Sequence, residues 1–123
     1  MKQVAIIIHQ GTECQDSVPR VRHALIYAKE IKEAGNNVLL IFDGEGTKWL
    51  KIITDENNQY KFLNDLLNEV KSLGIEYKAC DFCSTRKEVK EDLSNKHIQF
   101  LNEYDGHPDI GKLINEGYQI IVI

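Results

Sequence analysis

The chain has 123 residues, of which 42% are hydrophobic and 28% are charged, and its formal net charge is −4. This composition excludes a disordered protein and predicts one globular domain over residues 1–123. The lysines and arginines are scattered, which argues against nucleic acid as a partner, because binding to a phosphate backbone needs clustered positive charge.

Neither a membrane nor an oxidising compartment is indicated. The apolar run near the start, Val4–Ile8, is too short for a signal sequence or a membrane span. The three cysteines are an odd number without the spacing of a disulfide framework. We therefore expect no membrane contact and a reducing, cytoplasmic location.

The first third of the chain predicts strand, helix and strand. Residues 2–8 form a continuous run of mostly β-branched residues, typical of a strand buried on both faces. A polar loop leads to a helix that begins near Ser17 and ends at Gly35, with one apolar face made of Val21, Ala24, Leu25, Ala28 and Ile31. A second buried strand follows at 37–42.

The middle of the chain predicts two helices and a third strand. A glycine-bearing loop at Asp43–Thr47 precedes a short helix at 49–53. The next helix ends at Gly74 and has an apolar stripe of Phe62, Leu63, Leu66, Leu67, Val70 and Leu73. The third strand covers 74–79 and ends at Cys80.

The last third predicts two more helices and two more strands. Val89 and Leu93 mark a weaker helix, and residues 97–101 a short fourth strand. Pro108 suits the first turn of a last helix, whose inward residues are Ile110, Leu113 and Ile114. A fifth strand closes the chain at 118–123.

This alternation predicts an α/β fold with a mainly parallel five-stranded sheet covered by helices. Right-handed crossovers bring every strand-to-helix loop to the same edge, where open sheets of this kind place their sites. Four loops therefore compete to form a site, at His9–Ser17, Asp43–Thr47, Cys80–Thr85 and Tyr104–Pro108.

The most informative stretch runs from the third strand into Cys80 and Cys83. A thiol between a strand end and a helix N-terminus lies where amides and the helix dipole favour the thiolate, the reactive form of cysteine. Ser84 or Thr85 is the predicted helix cap, with Glu88 completing a capping box.

The charges beside the two thiols act in opposite directions. Asp81 opposes thiolate formation, whereas Lys78, Arg86 and Lys87 favour it. The pair is open to four interpretations: a redox couple, a metal half-site, a nucleophile with a neighbour, or inert packing. We expect no metal, because a structural zinc ion usually needs four ligands. The only other candidate ligands of the zinc-binding types lack paired spacing: Cys14, His9, His23, His97 and His107.

Further candidate binding residues lie in the neighbouring loops. Cys14 is either a third thiol of the site or an exposed cysteine, and His9 can point into the cleft. Asp43 and Gly44 open a turn rather than a phosphate loop, since its acidic residues would repel phosphate and no nucleotide motif is present. We expect His107 to belong to the start of the last helix rather than to take part in catalysis.

Four segments resemble the DsrE/DsrF-like family, which includes the TusD-type sulfur-relay proteins. They are 20–25, 33–49 (including Asp43-Gly44-Glu45-Gly46-Thr47-Lys48-Trp49), Ala79-Cys80-Asp81-Phe82-Cys83, and Glu103-Tyr104-Asp105-Gly106-His107-Pro108. The resemblance spans nearly the whole chain and is closest to small stand-alone members.

The resemblance implies a three-layer α/β/α sandwich with strand order 4-3-2-1-5, in which Cys14 and Cys80 need not touch. It also implies that Cys80 carries persulfide sulfur and that the protein forms a homo-oligomer, either a trimer or a hexamer. Sulfur handling of this kind requires no soluble cofactor. A sulfur donor or acceptor protein would be its partner. Cys83 is an addition to the pattern of the sulfur-relay members. A second thiol at this position can attack a Cys80 persulfide, release sulfide and leave a disulfide.

Three hypotheses follow. The first is a sulfur-handling protein in which Cys80 is the acceptor thiolate and Cys83 a resolving thiol. The second is an oligomeric small-ligand binding module without catalysis, whose cysteines only pack. The third is a dithiol redox or metal-binding protein that uses both cysteines. Whether the protein is an enzyme stays open.

Overall fold

The computed structural model describes every residue from Met1 to Ile123 and contains five strands and six helices. The strands are β1 (Gln3–Ile8), β2 (Asn37–Phe42), β3 (Glu76–Cys80), β4 (Phe100–Leu101) and β5 (Tyr118–Val122). The helices are α1 (Ser17–Glu33), α2 (Gly46–Ile53), α3 (Lys61–Ser72), α4 (Asp81–Arg86), α5 (Lys90–Asn95) and α6 (Ile110–Asn115).

All five strands form one parallel sheet in the order β4-β3-β2-β1-β5. This confirms both the alternation argument and the strand order that the family resemblance implied. The register places Ile8 opposite Phe42, Phe42 opposite Ala79, and Cys80 opposite Leu101. The strands therefore end nearly level, and the loops that follow them share one edge.

Helices cover the sheet on both faces, so the fold is a three-layer α/β/α sandwich. The larger core lies between one face and α1, α2, α3 and α5, and it includes Ile6, Ile8, Phe42 and Trp49. The smaller core, on the other face, consists of Ile7, Leu39, Ile41 and Leu101 packed against α6. Alternate residues of β1 enter the two cores, which explains why this strand is apolar throughout.

The structure corrects several element boundaries. β4 has only two residues instead of the five expected, and α6 begins at Ile110, where the Asp109 side chain accepts a hydrogen bond from the Lys112 amide. Pro108 therefore precedes the cap. Two residues expected to face inward do not: Phe62 is 49% exposed and Ile114 is 57% exposed. Both lie near helix ends, where a helical stripe runs past the edge of the core.

No helix combines the length and the hydrophobicity that a membrane span requires.

The loop between β2 and α2 rests directly on the end of β1. The Asp43 amide donates to the Ile8 carbonyl at 3.0 Å, and a Cβ added at Gly46 would lie 1.9 Å from that same carbonyl oxygen. Only glycine fits there, because the neighbouring atom is backbone and has no side-chain freedom.

We predict that Gly46→Ala lowers the free energy of unfolding by about 3 kcal/mol or more, because overpacking against backbone forces the loop to move. The matched control is Gly111→Ala in α6, where the nearest atom to an added Cβ lies at 3.5 Å. That change should be neutral or stabilise by up to about 1 kcal/mol. Urea denaturation measures both, and equal stability of the two variants would contradict the close approach.

Candidate functional site

Three segments that follow neighbouring strands converge at the carboxyl edge of the sheet. Asp43 follows β2, Cys80 ends β3, and His107 lies in the segment between β4 and α6. The parallel register of β2, β3 and β4 places these chain positions side by side. Three of the four loops expected to compete for the site therefore contribute to one cluster.

Cys80 is fully buried, with 0% of its surface exposed, and it caps α4. Its sulfur accepts a hydrogen bond from the Cys83 amide at 3.4 Å. Its thiol also lies 3.4 Å from His107 Nδ1 and 3.8 Å from the Gly106 carbonyl oxygen. The sulfur atom of the Cys80 thiol thus contacts both an amide donor and an imidazole.

This geometry corrects the predicted helix start. The helix begins four residues before Thr85, and the cap is Cys80 itself rather than Ser84 or Thr85. Ser84 is buried inside α4, and its hydroxyl has no hydrogen-bond partner. Glu88 adopts a positive φ of 59° between α4 and α5, so it cannot belong to a capping box. A sulfur is an unusual cap, which is why the serine and threonine were the better sequence signals.

Asp43 is held by contacts on both of its oxygens. Oδ1 accepts from the Gly44 amide at 2.8 Å and from the Cys83 thiol at 3.3 Å, and Oδ2 lies 3.3 Å from His9 Nε2. Gly44 makes this possible with a positive φ of 52° and with the His9 ring packed against its Cα. The turn interpretation of Asp43 and Gly44 is therefore right, but Asp43 also faces the thiols.

His107 is positioned by a tight turn over residues 104–107. Tyr104 and His107 exchange two backbone hydrogen bonds, and both central residues, Asp105 and Gly106, have positive φ. This is the dihedral pattern of a type I′ turn, for which Asp-Gly is a preferred sequence. The Phe82 ring packs on the imidazole, with ring centroids 4.8 Å apart. His107 therefore faces Cys80 and does not serve the start of α6.

The four side chains Asp43, Cys80, Cys83 and His107 form one cluster. Their ligating atoms all lie within 4.8 Å of one another. Such a group can support thiol–disulfide or persulfide chemistry, with His107 moving a proton, and its oxygen, nitrogen and two sulfurs are also donor types that hold a soft divalent cation. The spacing of Cys80 and Cys83 predicts two of these four residues from the sequence. Asp43 and His107 join the cluster only because the fold brings distant segments together.

The electrostatic environment opposes the thiolate. Burial raises the pKa of the Cys80 thiol well above its ordinary value, and the nearby Asp43 carboxylate and Cys83 add to this, although the Cys83 amide acts the other way. Burial also raises the pKa of Cys83, with a further contribution from Asp43. Burial and Asp43 thus oppose the thiolate that the helix N-terminus was expected to favour, and the raised pKa values keep the resting pair protonated.

The charged neighbours expected to tune the thiols are engaged elsewhere. Lys78 pairs with Glu76, Lys87 pairs with Glu45, and Arg86 lies over the Phe82 ring at 5.7 Å. Asp81 is paired with Lys90 and accepts from Asn102, and these partners lower its pKa. The carboxylate that acts on the thiols is Asp43, forty residues before Cys83 in the chain.

Cys14 lies outside the cluster. It is exposed in the segment between β1 and α1, where its carbonyl oxygen accepts a hydrogen bond from the Ser17 hydroxyl at 2.8 Å. His9 from the same segment reaches the cluster only through Asp43. The candidate site is thus a pair of cysteines rather than a triad of them.

The fold and the site define an α/β protein with paired cysteines at the carboxyl edge of a parallel sheet. A model of the DsrE/DsrF-like family matches residues 2–123. The chain belongs to this family.

Two relatives support the assignment of the fold without adding a function. An uncharacterized protein from Methanocaldococcus jannaschii is 29% identical over 121 residues, which cover 98% of this chain and 94% of that protein. A solved structure of a conserved protein of unknown function from Bacteroides thetaiotaomicron superposes with a TM-score of 0.64 at 19% identity, over 99% of this chain and 95% of that one.

We predict that the three cysteines of the reduced, metal-free protein differ in alkylation rate. Cys14 is exposed, whereas Cys80 is buried and its raised pKa leaves little thiolate, so Cys80 should react at least about tenfold more slowly at neutral pH. Because the thiolate fraction grows as pH rises toward a raised pKa, the Cys80 rate should still be increasing above the ordinary cysteine value of about 8.5. Peptide mapping after timed iodoacetamide treatment measures each rate. Faster labelling of Cys80 than of Cys14 would contradict the buried, protonated state.

Proposed function

We propose that the protein handles sulfane sulfur, accepting it on Cys80 with His107 as the proton acceptor and Cys83 as the resolving thiol. The observation that carries this proposal is the 3.4 Å contact between Cys80 Sγ and His107 Nδ1, with a second thiol in the same cluster. Family membership supports cysteine-based chemistry at this position but names no reaction.

The first step loads the sulfur. The Cys80 thiol gives its proton to Nδ1 of a neutral His107, and the thiolate attacks the outer sulfur of a low-molecular-weight persulfide. The donor's sulfur–sulfur bond breaks, its thiolate leaves and takes up a proton, and Cys80 becomes a persulfide. Since a thiolate of high pKa is a strong nucleophile, the buried thiol needs a base more than it needs a positive environment.

The second step removes the sulfur. The Cys83 thiolate attacks Cys80 Sγ, a Cys80–Cys83 disulfide forms, and the terminal sulfur leaves as sulfide. Asp43 Oδ1, 3.3 Å from the Cys83 sulfur, orients this thiol and can take its proton. Two molecules of a small thiol then reduce the disulfide through a mixed disulfide and leave as their own disulfide. If an acceptor thiol reaches the persulfide before Cys83 does, the sulfur is relayed instead.

Burial protects the resting site. A protonated, buried thiol is a poor target for oxidants, which react mainly with exposed thiolates. The Cys80 side chain has no exposed surface, so a donor must displace part of its cover, whereas the other three cluster residues, Asp43, Cys83 and His107, are partly exposed.

A dithiol redox function is the second candidate, and the proximity of the two sulfurs favours it as well. In that case Cys80 and Cys83 exchange electrons with a disulfide substrate, and no sulfide is released. The non-catalytic binding module stays a prediction. A cavity of about 180 Å³ lies on the α6 side of the sheet, lined in part by Leu101, Lys112 and Leu113, and no cysteine lines it.

The proposal includes a cellular location, a partner protein and an oligomeric state. A reducing cytoplasm keeps a dithiol available, and a donor or acceptor protein would exchange the sulfur. A homo-oligomer, either trimer or hexamer, stays a prediction that light scattering after gel filtration tests.

We predict that, in a Cys14→Ser background, incubation with a small persulfide releases sulfide and converts the pair to a disulfide, whereas the further change Cys83→Ser traps a gain of about 32 Da. Cys80→Ser should abolish both. Removing Cys14 is essential because an exposed thiol would accept sulfur by itself. A gain of one sulfur that survives Cys80→Ser would contradict the proposal. Oxidation of the pair by a small disulfide, together with no trapped sulfur in the Cys83→Ser protein, would favour the redox alternative.

The role of His107 has its own test. His107→Gln keeps a hydrogen-bonding side chain but cannot take up a proton, so the loading rate in the Cys83→Ser, Cys14→Ser protein should fall about a hundredfold. The matched control is His23→Gln, since His23 stacks with Tyr27 on α1, away from the cluster. Equal loading rates in the two variants would remove His107 from the mechanism.

A further inference from the structure

We propose that Asp43, Cys80, Cys83 and His107 form a binding site for one zinc ion. Along the chain, the cysteines and histidines lack the paired spacing of a four-ligand zinc site, so the sequence predicted no metal. The structure brings four ligands together from three separate segments, with their ligating atoms within 4.8 Å of one another.

The distances approach those of a tetrahedral zinc site. With Zn–S about 2.3 Å and Zn–N or Zn–O about 2.0–2.1 Å, a sulfur and a nitrogen or oxygen ligand lie about 3.5 Å apart. The Cys80 sulfur lies 3.4 Å from His107 Nδ1, and the Cys83 sulfur lies 3.3 Å from Asp43 Oδ1. No two ligating atoms are more than 4.8 Å apart, so the widest pair must close by about 1 Å to reach the roughly 3.4–3.8 Å between ligands of a tetrahedral site.

The donor set selects the kind of metal. Two sulfurs and one imidazole nitrogen suit zinc and similar soft or borderline cations, whereas magnesium and calcium take oxygen ligands. Binding releases the two thiol protons to solvent, and three negative ligands then surround a divalent cation. The cation thereby offsets most of the negative charge of two thiolates and a carboxylate that face one another.

Contacts around the cluster already orient the ligands. His9 Nε2 lies 3.3 Å from Asp43 Oδ2 and leaves Oδ1 facing the thiols, and the Cys83 amide donates to the Cys80 sulfur. The type I′ turn and the Phe82 ring fix the His107 imidazole. Outer contacts of this kind are those that strengthen metal sites.

The test uses the reduced, chelator-treated 123-residue protein titrated with Co²⁺ under anaerobic conditions. One equivalent should bind and give thiolate-to-cobalt charge-transfer absorption with the intense visible bands of a tetrahedral site, and one equivalent of Zn²⁺ should displace it. Mg²⁺ should have no effect. Absence of a stoichiometric complex, or a complex without thiolate absorption, overturns the proposal.

Matched variants locate the site. Asp43→Asn and Cys83→Ser should each weaken Zn²⁺ binding by more than the roughly 10- to 100-fold typical of lost outer contacts. The controls Asp81→Asn and Cys14→Ser remove a carboxylate and a thiol that lie outside the cluster. These two variants should bind Zn²⁺ as tightly as the wild type does. Zn²⁺ should also protect Cys80 and Cys83 of the wild type, but not Cys14, from alkylation, which tests the site even if a variant fails to fold. Binding unchanged by Asp43→Asn and Cys83→Ser, or protection of no cysteine, overturns the assignment.

The inference does not depend on sulfur transfer. Sulfur loading is measured with chelator present and metal binding without any persulfide, so either can fail while the other succeeds.

Discussion

The parallel register of β2, β3 and β4 is the constraint on which the site depends. Phe42 lies opposite Ala79, and Ala79 lies opposite Phe100, so the segments that leave these strands begin at nearly the same level. Asp43, Cys80 and the turn that carries His107 then have to share a small volume. A shift of one residue in either pairing would turn Cys80 toward the other face of the sheet and separate it from His107.

Close packing converts this register into contacts between side chains. The absence of a side chain at Gly46 lets the β2–α2 loop lie on the end of β1, where Asp43 is bonded through its backbone to Ile8. The turn ending at His107 is fixed to α4 by the hydrogen bond from the Phe82 amide to the Gly106 carbonyl oxygen at 2.9 Å. These are backbone contacts, so the cluster is held by the fold rather than by its own weak thiol hydrogen bonds.

Burial gives the thiols a character opposite to that of an activated cysteine. A typical reactive thiol is exposed among positive charges, whereas Cys80 is buried beside a carboxylate and a second thiol. Such a thiol stays protonated until a base accepts its proton or a metal ion replaces it. His107 Nδ1, 3.4 Å from the Cys80 sulfur, can act as the base, and a bound zinc ion would displace the proton to solvent.

The sequence was sufficient for most of the fold and for half of the site. Short, mostly β-branched apolar runs such as Val4–Ile8 are typical of strands buried on both faces, and their alternation with helices leaves few topologies. Cys80 and Cys83 stood out because they follow such a strand directly. His107 could have been found from Asp105-Gly106, whose preference for a type I′ turn predicts a reversal of the chain there.

The thiol electrostatics could not be predicted, because they depend on where long side chains point. Arg86 and Lys87 are only three and four residues after Cys83, yet one lies over Phe82 and the other pairs with Glu45. Asp43 is forty residues from Cys83 and makes direct contact with it. Distance along the chain therefore identified the wrong charged neighbours of the thiols.

The central claim is that the Cys80 thiol donates to Nδ1 of His107, and nitrogen-15 NMR of the histidine rings tests it most directly. In reduced, metal-free protein the account predicts a His107 ring with its proton on Nε2 and a hydrogen-bonded Nδ1. Cys80→Ala should shift the Nδ1 resonance, while the ring of His23 on α1 stays unchanged. A His107 ring with identical resonances in the two proteins would contradict the pairing and, with it, the site.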